Sequence, residues 1–262
     1  MIKSNPVKGL WSKGKPAFGT WITLCPHPRV VKILSSAGFD FVLIEMEHTD
    51  FSFETVGTLA MLARECGLTP IVRPPGTLKP HDLTRPLDAG AQGLLLPNIE
   101  TAAQLADVIR QTKYHPHGAR PMNLRGPHTD YYAGTPRQML DHLNNETLTV
   151  AMVETRKSID NLGEIIAVEG LNCVMIGPDD LSQDLGVPGE MQAPILLEAY
   201  EEIFGICRKH GMPFGLSAQS PDMAANWIAK GALWVPYQND AAMVLNAART
   251  AVPKLHEVSG RA

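Results

Sequence analysis

Two apolar runs, FVLI at residues 41–44 and CVMI at residues 173–176, decide how the chain is read. Neither alternates apolar with polar residues, so each is expected to be a strand buried on both faces, as in a parallel sheet covered by helices. Outward from them one unit recurs: a short apolar run, a turn, then a stretch of helical period. Strands are expected at 17–23, 41–45, 70–73, 93–97, 148–153, 173–176, 213–217 and 233–237. Helices are expected near 28–37, 52–66, 80–90, 100–112, 155–168, 192–210, 220–231 and 240–257. Alternating β and α elements indicate a parallel α/β sheet. The count of eight and the length of 262 residues favour one (β/α)8 TIM barrel, a single domain over 1–262. A doubly wound sheet usually carries a glycine-rich phosphate loop after its first strand, whereas TLCPHP stands there at residues 23–28.

Composition narrows the function classes. Hydrophobic residues make up 44% and charged residues 19%, ordinary for a globular enzyme. The formal net charge of −4 argues against nucleic acid and anionic membranes as partners, because both reward a basic face. The four cysteines, Cys25, Cys66, Cys173 and Cys207, lie far apart without a CxxC pair, so neither a zinc site nor a disulfide framework is expected. With no apolar leader at residues 1–16 and no spanning stretch, the expected location is the cytoplasm. One connection is unusually long: residues 113–147, expected on the C-terminal face, where such a segment can wall or cover the active site.

Barrel enzymes hold their reactive groups at or just beyond the C-terminal strand ends. The second expected strand ends in Glu45-Met46-Glu47-His48, the third in Arg73, the fifth in Glu154 and the sixth in Asp179-Asp180. Glu154 and Asp180 leave adjacent strands, and two carboxylates with waters suit Mg²⁺ or Mn²⁺. Each also fits a plainer role, Asp180 as a helix N-cap and Glu154 at a helix start. Arg73, aimed by Pro74-Pro75, suits a carboxylate or a developing oxyanion. His48 is the candidate general base, and Trp21 a pocket wall or a core aromatic. No lysine falls in or directly after an expected strand; Lys79, Lys113 and Lys157 lie elsewhere, so a Schiff-base mechanism is poorly provided for. The His115-Pro116-His117 stretch reads as solvated loop.

In order along the chain stand AGFDFVLIEMEH (37–48), IVRP (71–74), LDAGAQGLLLPNIETAAQ (87–104), YHPHGAR (114–120), VETRKSIDNL (153–162) and MIGPDDLSQDLG (175–186). Through these motifs the chain resembles the HpcH/HpaI aldolases, class II pyruvate-dependent enzymes related to citrate lyase β-subunits, from about Gly19 to Ala248. The resemblance implies a divalent metal, Mg²⁺, Mn²⁺ or Co²⁺, held by Glu154 and Asp180 and chelating pyruvate. It implies that Arg73 stabilises the enolate oxygen and that His48, paired with Asp88, handles the proton of the aldol hydroxyl. It implies that backbone N–H groups around Gly177, Asp179 and Asp180 receive the substrate carboxylate. It also implies a homohexamer, a trimer of dimers with the last helix, about 240–257, exchanged between subunits.

The chain departs from the family pattern at Glu45 and Met46, where Asp and Gly are usual. It departs again at Met152, usually Gln, and at Asp179, usually small. The leading expectation is retro-aldol cleavage of a 4-hydroxy-2-oxo acid to pyruvate and an aldehyde. The alternatives are another enolate reaction at the same site, such as oxaloacetate decarboxylation or a synthase, and a non-catalytic metabolite-binding barrel.

Overall fold

In the computed structural model, which describes residues 2–76 and 78–259, eight parallel strands close in sequence order into a barrel. The strands are β1 (Ala17–Ile22), β2 (Phe41–Glu45), β3 (Thr69–Arg73), β4 (Gly93–Leu96), β5 (Leu148–Val153), β6 (Cys173–Ile176), β7 (Phe214–Leu216) and β8 (Trp234–Asn239). All eight lie within a few residues of the expected positions. The helices are α1 (Pro6–Trp11), α2 (Arg29–Ser36), α3 (Phe53–Glu65), α4 (Pro80–Asp88), α5 (Ala102–Thr112) and α6 (Pro136–Glu146). They continue with α7 (Arg156–Asp160), α8 (Leu162–Ile166), α9 (Pro178–Asp184), α10 (Pro194–Lys209), α11 (Pro221–Ala229) and α12 (Asp240–Val258).

Strand alternation divides the core into two layers. Phe41, Leu43, Ile71, Val150, Met152, Cys173, Met175 and Trp234 fill the barrel interior. Val42, Ile44, Val72, Ala151, Val174 and Ile176 face the helices. Phe41 and Trp234 stack at 3.8 Å inside the barrel, and each needs glycine beside it. A Cβ on Gly19 would come within 2.2 Å of Phe41, and one on Gly215 would strike the Trp234 carbonyl. The N-terminal end is closed by α1, which the sequence reading did not include. Trp11 meets Trp234 edge-on at 5.7 Å and donates its indole N–H to the Leu233 carbonyl.

The long connection 113–147 lies on the N-terminal face, not the C-terminal face expected of it. The chain has already crossed back through α5 before reaching residue 113, so this segment leads into β5 from below. It holds the whole of α6, and His115 and His117 are exposed, as expected of solvated loop. Lys113 is buried there, donating to the carbonyls of Asn144 and Thr147 at 2.8 and 2.6 Å, and burial pushes its ammonium down to about 7. Cys173 and Cys207 are buried, and burial pushes the Cys207 thiol up to about 12. No helix among the described residues is long and apolar enough to cross a membrane.

The root of α12 is tied firmly to the mouth of the barrel. The buried Asp240 carboxylate accepts the backbone N–H groups of Thr23, Leu24 and Cys25 at 2.9, 3.1 and 2.8 Å, and the Thr23 hydroxyl at 2.9 Å. Asp240→Ala strands those donors and is expected to cost about 3 kcal/mol, lowering Tm by roughly 6–12 °C in a thermal melt. An unchanged Tm would mean that the β1 loop needs no such anchor.

Candidate active site

The inward parity of the strands carries over to their C-terminal ends. Glu45 shares a face with Phe41 and Leu43, Arg73 with Ile71, Glu154 with Val150 and Met152, and Gly177 with Cys173 and Met175. The β2–β3 register sets Glu45 directly beside Arg73. These residues open into one cleft of about 1200 Å³, lined also by Trp21, His48, Met152, Asp179 and Asp180.

Arg73 stands at the centre. Its Nη1 lies 3.5 Å from Glu45 Oε2, and its Nη2 lies against Glu47 Oε2 and 3.6 Å from Glu154 Oε1. The Trp21 ring sits with its centroid 6.0 Å from the guanidinium, and its N–H reaches the Ser217 hydroxyl at 3.3 Å. Glu45 Oε1 accepts the backbone N–H groups of Glu47 and His48 at 2.6 and 3.3 Å, which folds the turn after β2 over the barrel mouth. Three carboxylates around one guanidinium leave negative charge in excess. Burial raises the Glu47 carboxyl above its ordinary range; Arg73 and His48 oppose the shift, while Glu45 and Asp180 reinforce it.

Glu154 is 2% exposed. Its Oε2 accepts the Asn98 backbone N–H at 2.8 Å, leaving Oε1 buried with no hydrogen-bond partner among the described residues. Burial is the main cause that raises the Glu154 carboxyl; the Asn98 N–H and Arg73 oppose it, and Asp180 and Glu47 add to it. Asp180 is thus near enough to be felt at both Glu47 and Glu154. It lies in the first turn of α9, whose N-cap is Gly177, so its carboxylate is not used as a cap. Asn98 adopts a left-handed φ of 56°, a conformation Asn tolerates better than most residues. The sequence reading missed Asn98, although Pro-Asn after a buried strand is a turn pattern that marks it.

Gly177 is required by contact. A Cβ there would lie 2.6 Å from both Cγ and Oε1 of Glu154. Gly177→Ala is therefore expected to swing the Glu154 carboxyl away and reduce turnover about 10- to 100-fold in a folded protein. Steady-state kinetics beside a thermal melt checks it, and full activity would mean that the carboxyl position is not critical.

Of the remaining expected residues, His48 stands at the rim with its side chain 67% exposed, its Nε2 3.8 Å from Glu47 Oε2. Asp179 is exposed, and Met152 is buried in the interior packing below the acids. The chain does not bring Asp88 to His48. Asp88 is the last residue of α4, which runs back from the C-terminal mouth, so it sits at the opposite end of the barrel. There it pairs with Arg120 at 2.5 Å, and its carbonyl meets His128 Nδ1 at 3.2 Å.

Residues 18–247 match the model of the HpcH/HpaI aldolase/citrate lyase family. The chain belongs to that family. It is 31% identical over 244 residues to the 4-hydroxy-2-oxo-heptane-1,7-dioate aldolase of Shigella sonnei, covering 93% of this chain and 92% of the relative. Among solved structures it is similar to an HpcH/HpaI aldolase from Desulfitobacterium hafniense, with a TM-score of 0.91 and 28% identity. That likeness covers 95% of this chain and 96% of the other. Macrophomate synthase, at TM-score 0.86 and 23% identity over 100% of this chain and 93% of its own, shares the fold.

Proposed function

We propose that this HpcH/HpaI family member is a divalent-metal-dependent aldolase that cleaves 4-hydroxy-2-oxo acids to pyruvate and an aldehyde, and that it also runs the reverse addition. The observation that carries the reading is Glu154 Oε1, a buried carboxylate oxygen without a hydrogen-bond partner, in the field of Asp180 and facing Arg73. The name of the Shigella relative supports it.

The residues fit a hard divalent cation. A buried carboxylate oxygen without a hydrogen bond is costly, and Arg73 Nη2 at 3.6 Å meets its charge without hydrogen-bonding it. Gly177 keeps the space beside that oxygen clear of side chain. Among the described residues no group of three or more His, Cys, Asp or Glu side chains gathers as a metal cage. Glu154 and Asp180 would hold the ion, with substrate and water supplying its other oxygen ligands, as Mg²⁺ and Mn²⁺ accept. The ion would supply Lewis-acid polarisation of a 2-oxo acid.

The chain's own groups then divide the work. Arg73 stabilises the enolate oxygen, which develops negative charge as the C3–C4 bond breaks. Glu45 and Glu47 hold the guanidinium in place. His48 at the rim takes the proton from the 4-hydroxyl and returns one when an aldehyde is added. Backbone N–H groups of the Gly177–Asp180 turn receive the substrate carboxylate, though Pro178 has none to give. Trp21 walls the pocket beside Arg73. Asp88 is left as the partner of Arg120 within the chain.

The proposed assembly is a homohexamer, a trimer of dimers exchanging α12. Asp240 is the only residue of that 19-residue helix buried in the chain, while Val244, Leu245, Val252, Leu255 and Val258 are exposed.

Because burial holds the Glu154 carboxyl above its ordinary range, protons compete with the metal there. Metal affinity is expected to weaken as pH falls, beginning above the usual carboxylate range, in isothermal titrations at several pH values. Affinity that stays flat from neutral pH down into the usual carboxylate range would remove Glu154 from the ligand set. The function itself is tested by supplying a 4-hydroxy-2-oxo acid with Mg²⁺ or Mn²⁺. Equal amounts of pyruvate and aldehyde support it. Carbon dioxide from oxaloacetate without aldehyde chemistry would replace it with decarboxylation at the same site.

A further inference from the structure

The cleft at the barrel mouth, about 1200 Å³, is much larger than pyruvate, so its outer part is room for the acceptor. Six carboxylates line it: Glu45, Glu154, Asp179, Asp180, Glu198 and Glu201. The lysine and arginine side chains that line it, among the described residues, are Arg73 and Lys230. Both are already engaged. Arg73 faces Glu45, Glu47 and Glu154, and Lys230 Nζ lies against Glu201. A divalent cation with one pyruvate monoanion offsets only one of the four formal charges in excess. Glu154 Oε1, buried without a hydrogen bond and 3.6 Å from Arg73 Nη2, is the metal's in this reading and lends an acceptor no positive charge. Tyr200 and Trp227 also line it, packed edge-on at 6.1 Å and largely buried.

We infer that the acceptor is an aldehyde without a carboxylate, and that a cationic aldehyde is used better than a neutral one of the same length. The inference rests on the aldolase reading above. It separates this chain from its Shigella relative, whose named compound is a dioate. Among the described residues a second carboxylate in this cleft would meet acids and no free guanidinium or ammonium, and such like-charge juxtaposition disfavours binding. The reaction balances without further reagents. A methyl proton leaves pyruvate, the methyl carbon bonds to the aldehyde carbon, and the aldehyde oxygen takes up a proton as hydroxyl.

The test compares three acceptors of equal reach with the metal-loaded protein: succinate semialdehyde, its amide 4-oxobutanamide, and 3-(trimethylammonio)propanal. The expected kcat/KM is at least about tenfold higher for the amide than for the carboxylate, and higher again for the quaternary ammonium, with the spread narrowing in high salt. Glu198→Lys, on the exposed face of α10, is expected to leave pyruvate deuterium exchange unchanged and to shrink the preference severalfold. Succinate semialdehyde used as well as the amide, by protein that exchanges pyruvate, overturns this inference alone. Absence of pyruvate exchange with any metal overturns the aldolase reading and the inference with it.

Discussion

Glu154→Gln is expected to lose metal-dependent deuterium exchange of the pyruvate methyl by on the order of 10³-fold, with the barrel still folded. Glutamine keeps the length of the side chain and an oxygen for the Asn98 N–H, so the local structure has little reason to move. What disappears is the charge on a buried oxygen that has no hydrogen-bond partner. Burial already raises the Glu154 carboxyl, so neutralising it also removes a desolvation cost. Tm is therefore expected to stay level or rise while exchange and metal binding fall together. A variant that melts early yet retains exchange would make Glu154 a structural residue.

Arg73→Lys is expected to reduce kcat/KM about 10²-fold or more at nearly unchanged metal affinity. The guanidinium addresses Glu45, Glu47 and Glu154 from one planar fork. An ammonium is a single point and cannot face three carboxylates and an enolate oxygen together. Arg73→Leu separates charge from shape. It leaves buried carboxylates without their counter-charge, at a cost of about 3–5 kcal/mol. Thermal melts of both variants beside their kinetics read the two roles apart. A lysine variant with full activity would show that Arg73 only neutralises charge.

The fold was legible because strands buried on both faces read as unbroken apolar runs, and FVLI and CVMI do so. Their alternation also carried the site. Glu45, Arg73, Glu154 and Gly177 continue the inward face of their strands, so all four reach the mouth. Other features were hidden for physical reasons. Only six residues long, α1 shows its role through Trp11 and Trp234 meeting across the whole chain. In α6, PRQMLDHLNNE buries little beyond Met139, Leu143 and Asn144, too thin an apolar stripe to stand out in a polar stretch. The 113–147 segment lies on the face opposite to the expected one because its position depends on which side of α5 it follows, and length alone carries no direction. Asp88 illustrates the same point. Family resemblance joins it to His48, but within one chain α4 takes it to the other end, where Arg120 holds it.

The most direct test of the central claim is deuterium exchange of the pyruvate methyl in D₂O, followed by NMR, for metal-free protein and for protein with Mg²⁺, Mn²⁺ or Co²⁺. It needs no acceptor aldehyde and reads the enolate alone. Exchange that appears only with metal and vanishes in Glu154→Gln is the predicted result. Folded protein that exchanges nothing with any of the three ions, or exchanges equally without them, would contradict a metal-assisted pyruvate enolate at this site.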